Sequence, residues 1–205
     1  MSRYTGPRVK IMRALGVDLP GLSPKTSERR PYPPGQHGQR RRKQTEYGKR
    51  LQEKQKLRAN YGLSEAQMRR VFKEAVRSKQ NTGTKLIELL ERRLDNVVFR
   101  AGFARSIPAA RQVVNHGHVL VDGRRVDIPS FRVRVGQTVT IKAASAETQP
   151  VVLGLALAEQ RRWESAWLTV DAGQRSAKVS SLPDETAVPF PLDVQLVIEL
   201  YALNA

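Results

Sequence analysis

The stretch "SIPAARQVVNHGHVLVDGRRV", Ser106 to Val126, contains the change of period that decides the fold. Ser106 is a helix-capping residue type, and Pro108 is tolerated in a first turn because no amide is needed there. Ala110, Val113 and Val114 then recur at helical spacing. Gly117 is placed to stop that helix in a left-handed conformation, which glycine adopts without a steric penalty. After it "HVLVDGRRV" alternates, two short runs joined by Asp122-Gly123, a pair whose backbone suits a two-residue hairpin turn. Helix, stop and hairpin together predict an α+β unit. The following "FRVRVGQTVTI" extends the alternation, with Val133 and Val135 expected on one face and Arg132 and Arg134 on the other.

Upstream the period is helical. Tyr47, Leu51 and Leu57 share a rough face before Gly62, and Ser64 with Gln67 forms a capping box. Met68, Val71, Phe72, Ala75 and Val76 give the next helix its apolar stripe. Leu86, Leu90, Leu94 and Val97 predict a third, running unbroken from "NTGT" at 81–84 to Gly102. Residues 1–44 hold "RRPYPPGQHGQRRRK", whose prolines favour extended backbone, and are expected to be a basic arm that orders on RNA. Downstream, "VVLGLALAEQRR" reads as helix and "WLTVD" and "AKVSSLP" as strands. "LDVQLVIELY" fits either period: its β-branched content favours a strand, a cap at Asp193 favours a helix. The expected architecture is therefore α+β. It comprises the arm at 1–44, a small all-helical domain at 45–90 that residues 186–205 would complete, and an α+β domain at 91–185. That last domain carries a small, mainly antiparallel sheet packed on helices, with an RNA-binding module at 91–152.

The net charge of +17 over 205 residues is the footprint of a polyanion binder. It is unevenly placed. Residues 1–60 hold 16 basic and 4 acidic side chains, residues 61–142 hold 16 and 7, and residues 143–205 hold 4 and 8. The first two-thirds should meet the polyanion, and the acidic last third should complete the fold or face another protein. The absence of cysteine excludes disulfides, thiolate-bound zinc and thiol nucleophiles. The longest apolar run, 151–158, is too short for a bilayer, so a cytoplasmic chain is expected.

His116 and His118, two of only three histidines, invite a metal reading. Zinc needs a third and usually a fourth protein ligand. Only Asp122 and Asp127 are at hand, His37 is isolated in the arm, and Gly117 separates the pair by a turn. No metal and no cofactor are expected. Nothing resembles a nucleophile elbow or a phosphate-binding loop, so no catalytic residue and no small-molecule substrate are expected either. The pair instead sits among guanidinium and amide groups suited to phosphate and base-edge contacts: Arg92, Arg93, Arg105, Arg111, Gln112, Asn115, Arg124 and Arg125. Aromatics make up 6% of the chain, too few for a single-strand stacking platform, so folded RNA read by shape and backbone is the expected ligand.

"LLERRLDNVVFRAGFARSIPAARQVVNHGHVLVDGRRVDIPSFRVRVGQ", Leu89 to Gln137, resembles the RNA-binding module named after ribosomal protein S-four. "RYTGP" at 3–7, "PPGQHG" at 33–38, "KRLQEKQKLRANYG" at 49–62 and "QLVIELY" at 195–201 extend the resemblance to the bacterial small-subunit S-four family over nearly the whole chain. The resemblance implies a primary binder of 16S rRNA, seated on the five-way junction of the 5′ domain, that nucleates assembly of the 30S body. It also implies contacts with ribosomal protein S-five and other 30S proteins and an influence on translational accuracy. Candidate rRNA contacts outside the module are Arg3, Arg8, Arg29, Arg30, His37, Lys54, Lys56, Arg58 and Arg69. Arg40, Arg41, Arg42, Lys43, Lys49 and Arg50 resemble the region beside the mRNA entrance. The chain departs from zinc-binding relatives in carrying Val9 and Met12 where cysteines would fall. Its hairpin turn is Asp-Gly where relatives often have Asn-Gly. The alternative is a stand-alone RNA-binding or RNA-modifying protein built on the same module, but an enzyme would need a catalytic domain, for which neither the arm nor the 63 residues after 142 are expected to leave room.

Overall fold

The structure is a computed structural model describing residues 4–40, 43–160 and 165–203. The chain runs α1 (Arg8–Leu15), α2 (Glu46–Asn60), α3 (Glu65–Arg77), α4 (Thr82–Glu91), α5 (Leu94–Arg100) and α6 (Ile107–Asn115). Then come β1 (Val119–Val121), β2 (Arg124–Arg125), β3 (Thr138–Ile141), α7 (Gln149–Ala158), β4 (Leu168–Asp171), β5 (Ser176–Val179) and α8 (Val194–Ala202). The strands form one antiparallel sheet in the order β2-β1-β3-β5-β4. This is an α+β fold. Nearly all of its buried apolar residues among those described form one cluster from Met12 to Tyr201.

Local signals placed the helices where they would be expected. Ser64 accepts from the Gln67 amide while the Gln67 side chain accepts from the Ser64 amide, which closes the capping box on α3. Asn81 caps α4 through the amides of Gly83 and Thr84. Asp193 caps α8 through the Leu196 amide, so the ambiguous C-terminal segment is a helix. That helix packs on α2 and α4, and Tyr201 stacks on Phe72 of α3 with ring centroids 4.6 Å apart.

Several expectations need correction. The arm is not extended throughout: residues 8–15 are helical, ended by Gly16 at φ 66°, and Met12, Leu19 and Leu22 enter the core. The Gly21 amide donates to Asn60 Oδ1 at 2.9 Å, and Gly21 O accepts from the Ile107 amide at 2.7 Å. The segment is thus wedged between the end of α2 and the start of α6. The single helix expected from 84 to Gly102 is two. Arg93 leaves helical geometry (φ −65°, ψ 137°) to form an antiparallel bridge with Arg132, and the amides of Val133 and Leu94 donate to Arg92 O and Phe131 O. Long-range backbone pairing overrides the local period there. Residues 131–137 form no strand of their own, so Val133 is buried while Val135 is 48% exposed. Tyr47 and Val76, assigned to core stripes, are also exposed. Ser106 precedes α6 in extended conformation but its hydroxyl makes no cap bond.

Candidate nucleic-acid interface

The basic side chains divide into those the fold consumes and those it leaves outside. Three acids on α4 and α5 are buried: Glu88, Glu91 and Asp95. A buried carboxylate is tolerable only when paired and hydrogen-bonded, and each of these recruits arginine or lysine. Asp95 receives Arg93 (3.1 and 2.9 Å) and Arg111 (3.1 and 2.7 Å). Arg111 also donates to Gly62 O at 3.0 Å and Tyr61 O at 3.1 Å, which ties α6 to the α2–α3 turn. Glu91 accepts from Arg100 (2.9 and 2.6 Å), from Asn96 at 2.8 Å and from the Tyr61 hydroxyl. Burial and the neighbouring Glu91 push the Tyr61 phenol far above its usual range, so it acts as a neutral donor. Burial opposes the Arg100 charge, but Glu91 and Tyr61 outweigh it and the net shift is upward. Glu88 takes Lys85 and Arg92, and Arg92 Nε reaches Val133 O at 2.9 Å.

Arg92, Arg93 and most of Arg111, expected to contact RNA, therefore point into the protein's own carboxylates and carbonyls. The same holds on the helical side. Lys54 is buried on Glu65 at 2.9 Å, and Lys56 is held by Glu53 at 2.6 Å and Pro191 O at 3.2 Å. The physical reason is one the local pattern does not carry: each cation meets an acid or carbonyl supplied by the tertiary fold.

Most of the remaining candidates lie outside. Gln112, Asn115 and His116 are exposed at the end of α6, Arg124 and Arg125 on β2, and Arg105 just before α6. Arg125 makes only a loose 3.8 Å pair with Asp127. Arg69 stays largely open and Arg58 partly so, 3.8 and 3.9 Å from Glu65. In the arm Arg29, Arg30, His37, Arg40 and Lys43 are exposed, whereas the Arg8 guanidinium touches Leu22 O at 3.5 Å. Lys49 pairs with Glu46 at 2.8 Å and Arg50 with Glu199 at 2.7 Å. Arg3, Arg41 and Arg42 lie outside the described residues.

Sequence reasoning missed a row on α3. Arg70, Lys73, Arg77 and the following Lys79 are exposed, and among the described residues none has a carboxylate partner. Their spacing on the side away from Met68, Val71 and Phe72 was the available signal. Arg13 was missed too. It donates to Arg30 O and Tyr32 O, both at 3.0 Å, and lies over the Tyr32 ring, folding the arm back on α1.

The corner between α6 and the hairpin is built by backbone geometry. Gly117 at φ 72° ends α6, and Asp122 (φ 47°) with Gly123 (φ 77°) makes the left-handed pair of a tight hairpin turn. The Asp122 carboxylate accepts from the Thr138 amide at 2.9 Å and from Gln137 at 2.8 Å, and those bonds hold it below the usual carboxylate range. Its charge is spent on the turn. The rings of His116 and His118 meet edge to face, 5.9 Å between centroids, and His118 Nδ1 lies 2.8 Å from Ser145 Oγ. Burial lowers the His118 pKa, and the neighbouring His116, Lys142 and Arg125 lower it further. A hydroxyl, a second imidazole and the cations Lys142 and Arg125 suit an anion, not a metal ion. Among the described residues no three His, Asp or Glu side chains gather as a metal site.

Two open clefts are lined in part by these candidates, Arg124 in one and Arg105 in the other. One of about 430 Å³ lies beside the hairpin, lined by Asp122, Arg124, Phe131 and Gln137, and one of about 300 Å³ lies between Lys25, Arg105 and the end of α7. Neither sets a nucleophile against a base. Among the described residues no helix is long and apolar enough to cross a membrane.

Residues 3–91 match the family described as the Ribosomal protein S4/S9 N-terminal domain, and residues 92–139 match the S4 domain. The small ribosomal subunit protein uS4 of Methylobacillus flagellatus is 57% identical over 204 residues, spanning 98% of each chain. Protein uS4B of Nitrosomonas europaea is 55% identical over the same length and the same shares. Protein uS4 of Synechococcus elongatus is 50% identical over 202 residues, again 98% of both.

Proposed function

The chain belongs to the family of small ribosomal subunit protein uS4, and from that premise we propose that it is a structural, non-enzymatic constituent of the 30S subunit that binds 16S rRNA. The observation that carries the reading is the set of exposed cations left once the buried acids have taken theirs: Arg105, Arg124, Arg125, the row on α3, and the arm. Guanidinium groups free of protein carboxylates can bond phosphate oxygens in pairs, and each phosphate neutralised releases condensed counterions. Gln112, Asn115 and the two histidines add donors and acceptors beside them for base edges and 2′-hydroxyls. The ties from Arg111 to Asp95 and Gly62 hold α6 on the helical unit, so both basic surfaces are presented together and little ordering is needed on binding.

Within that reading the protein seats on the five-way junction of the 5′ domain, nucleates assembly of the 30S body, and contributes to translational accuracy with S-five and other 30S neighbours in the cytoplasmic ribosome. Arg40, Lys43, Lys49 and Arg50, with Arg41 and Arg42, lie beside incoming mRNA. The proposal is supported by the family and by the charge distribution, which leaves the acidic last third for protein contacts. The test is cosedimentation with 30S particles through a high-salt wash, together with the salt dependence of affinity for the 16S 5′-domain fragment. Removing Arg124 or Arg125 should weaken binding and lower the log–log salt slope by about one each. The same change at Arg175 or Lys178 should do neither. Equal effects from both sets would overturn the assigned face.

A further inference from the structure

The corner where α6 meets the hairpin concentrates positive charge around an imidazole that is held in place. His118 leads into β1, and its Nδ1 lies 2.8 Å from Ser145 Oγ in the turn after β3, which fixes the ring. The charges that bear on it come from every element packed there: His116 from the end of α6, Arg125 from β2 and Lys142 from the end of β3. The Lys142 amide also donates to His118 O at 2.9 Å, so β3 and the His118 backbone are locked together. On the far side of Arg125 lies Asp127, at a loose 3.8 Å. The free protein thus holds the His118 imidazole beside two cations, Arg125 and Lys142, and a second imidazole, conditions that work against a charge on it.

We propose that this corner is a proton-coupled phosphate site, in which a phosphate of the bound RNA backbone seats against His116, Arg125 and Lys142 and His118 takes up a solvent proton as it does. The inference rests on the reading of this surface as RNA-facing. Before binding, partial burial and the neighbouring His116, Lys142 and Arg125 disfavour a charge on His118. An arriving phosphate carries a full negative charge and strong acceptor oxygens. It reverses the balance, since the imidazolium then gains an ion pair and a second donor. The proton comes from the buffer and returns to it on release. Binding and protonation are reciprocal: RNA raises the proton affinity of His118, and acid raises the affinity for RNA.

The experiment is calorimetric titration of the full-length protein with the 16S 5′-domain fragment between pH 6 and 8, in buffers of different ionisation enthalpy. The wild-type protein should take up a fraction of a proton approaching one near pH 7, and its affinity should rise by up to about tenfold per pH unit on acidification. His118→Asn should still bind but lose that uptake, whereas His37→Asn should keep it. Because His118 is half-buried, Lys142→Gln gives a second arm. It removes a repelling charge, so the imidazole resonance of the free protein should titrate at higher pH and the uptake near pH 7 should shrink. A purely steric role for His118 leaves the proton uptake near pH 7 unchanged in both variants. Binding without proton uptake, or uptake unchanged in His118→Asn, overturns the proposal and leaves RNA binding intact. Failure to bind the fragment at any pH instead removes the reading of the surface on which the proposal rests.

Discussion

Replacing Glu91 by Gln tests the claim that buried acids hold the arginine architecture together. Glu91 is fully buried and accepts from Arg100 through two bonds, from Asn96 and from the Tyr61 hydroxyl. It thereby joins the end of α2 to α4 and α5. Gln preserves the shape but removes the charge and sets an amide donor against groups that already donate. Breaking a buried ion pair from one side costs about 3–5 kcal/mol, because the partner's charge stays behind without compensation. A protein of this kind has about 5–15 kcal/mol of stability in all, so the loss is a large share of it. At about 2–4 °C per kcal/mol for a chain of this length, the melting temperature should fall by about 6–20 °C. Urea unfolding with an unchanged m-value is the assay. Glu91→Leu combined with Arg100→Leu removes both charges and should recover at least half of the loss. A single variant within about 1 kcal/mol of wild type, or a double variant no better than the single, would refute the reasoning.

Two further outcomes follow from the geometry. Gly117→Ala forces an L residue to φ 72° and drives its Cβ into the Arg125 side chain, so it should cost about 1–2 kcal/mol in thermal unfolding and weaken RNA binding by displacing that guanidinium. An unchanged melting temperature would contradict the left-handed stop. Burial works to raise the Glu65 pKa, but Lys54, Tyr201 and Arg58 outweigh it and the net shift is downward from 4.5. A depressed carboxylate contributes stability that is full above about pH 4.5 and lost as pH falls through its folded value. Glu65→Gln should therefore destabilise the protein at pH 7 more than at pH 3, and equal losses at the two pH values would count against the Lys54–Glu65 tie.

The elements written in short-range code were legible before any coordinates. The α3 capping box, the α6 stop at Gly117 and the Asp122-Gly123 hairpin each depend on residues within a few positions of one another. The features that escaped depend on distant partners. The break between α4 and α5 exists because Arg93 bridges to Arg132, and nothing near Arg93 forecasts it. Helix α1 hides in a segment rich in Pro and Gly, and its fate is decided by Met12 and Leu19 finding the core and Gly21 finding Asn60 and Ile107. Val76 and Val135 fit their local periods and still ended outside, because period assigns a face and not a neighbour.

The candidate site escaped for the same reason, and with a consequence for how a basic chain is read. Arg111 and Arg124 are equally plausible RNA contacts in one dimension. Asp95, 16 residues before Arg111, turns one inward, while Arg124 stays in solvent. The acids of residues 61–142 are few, and three of them, Glu88, Glu91 and Asp95, are withdrawn into the core with their cations. Of the rest, Glu65 and Glu74 are engaged by Lys54 and Arg132, and Asp122 by its own turn. Burying matched pairs removes equal charge of both signs from the surface. What remains outside is therefore a smaller set of cations with almost no acid to screen them. The phosphate-facing surface is defined by this subtraction, and Arg105, Arg124, Arg125, the row on α3 and the histidine corner are what it leaves.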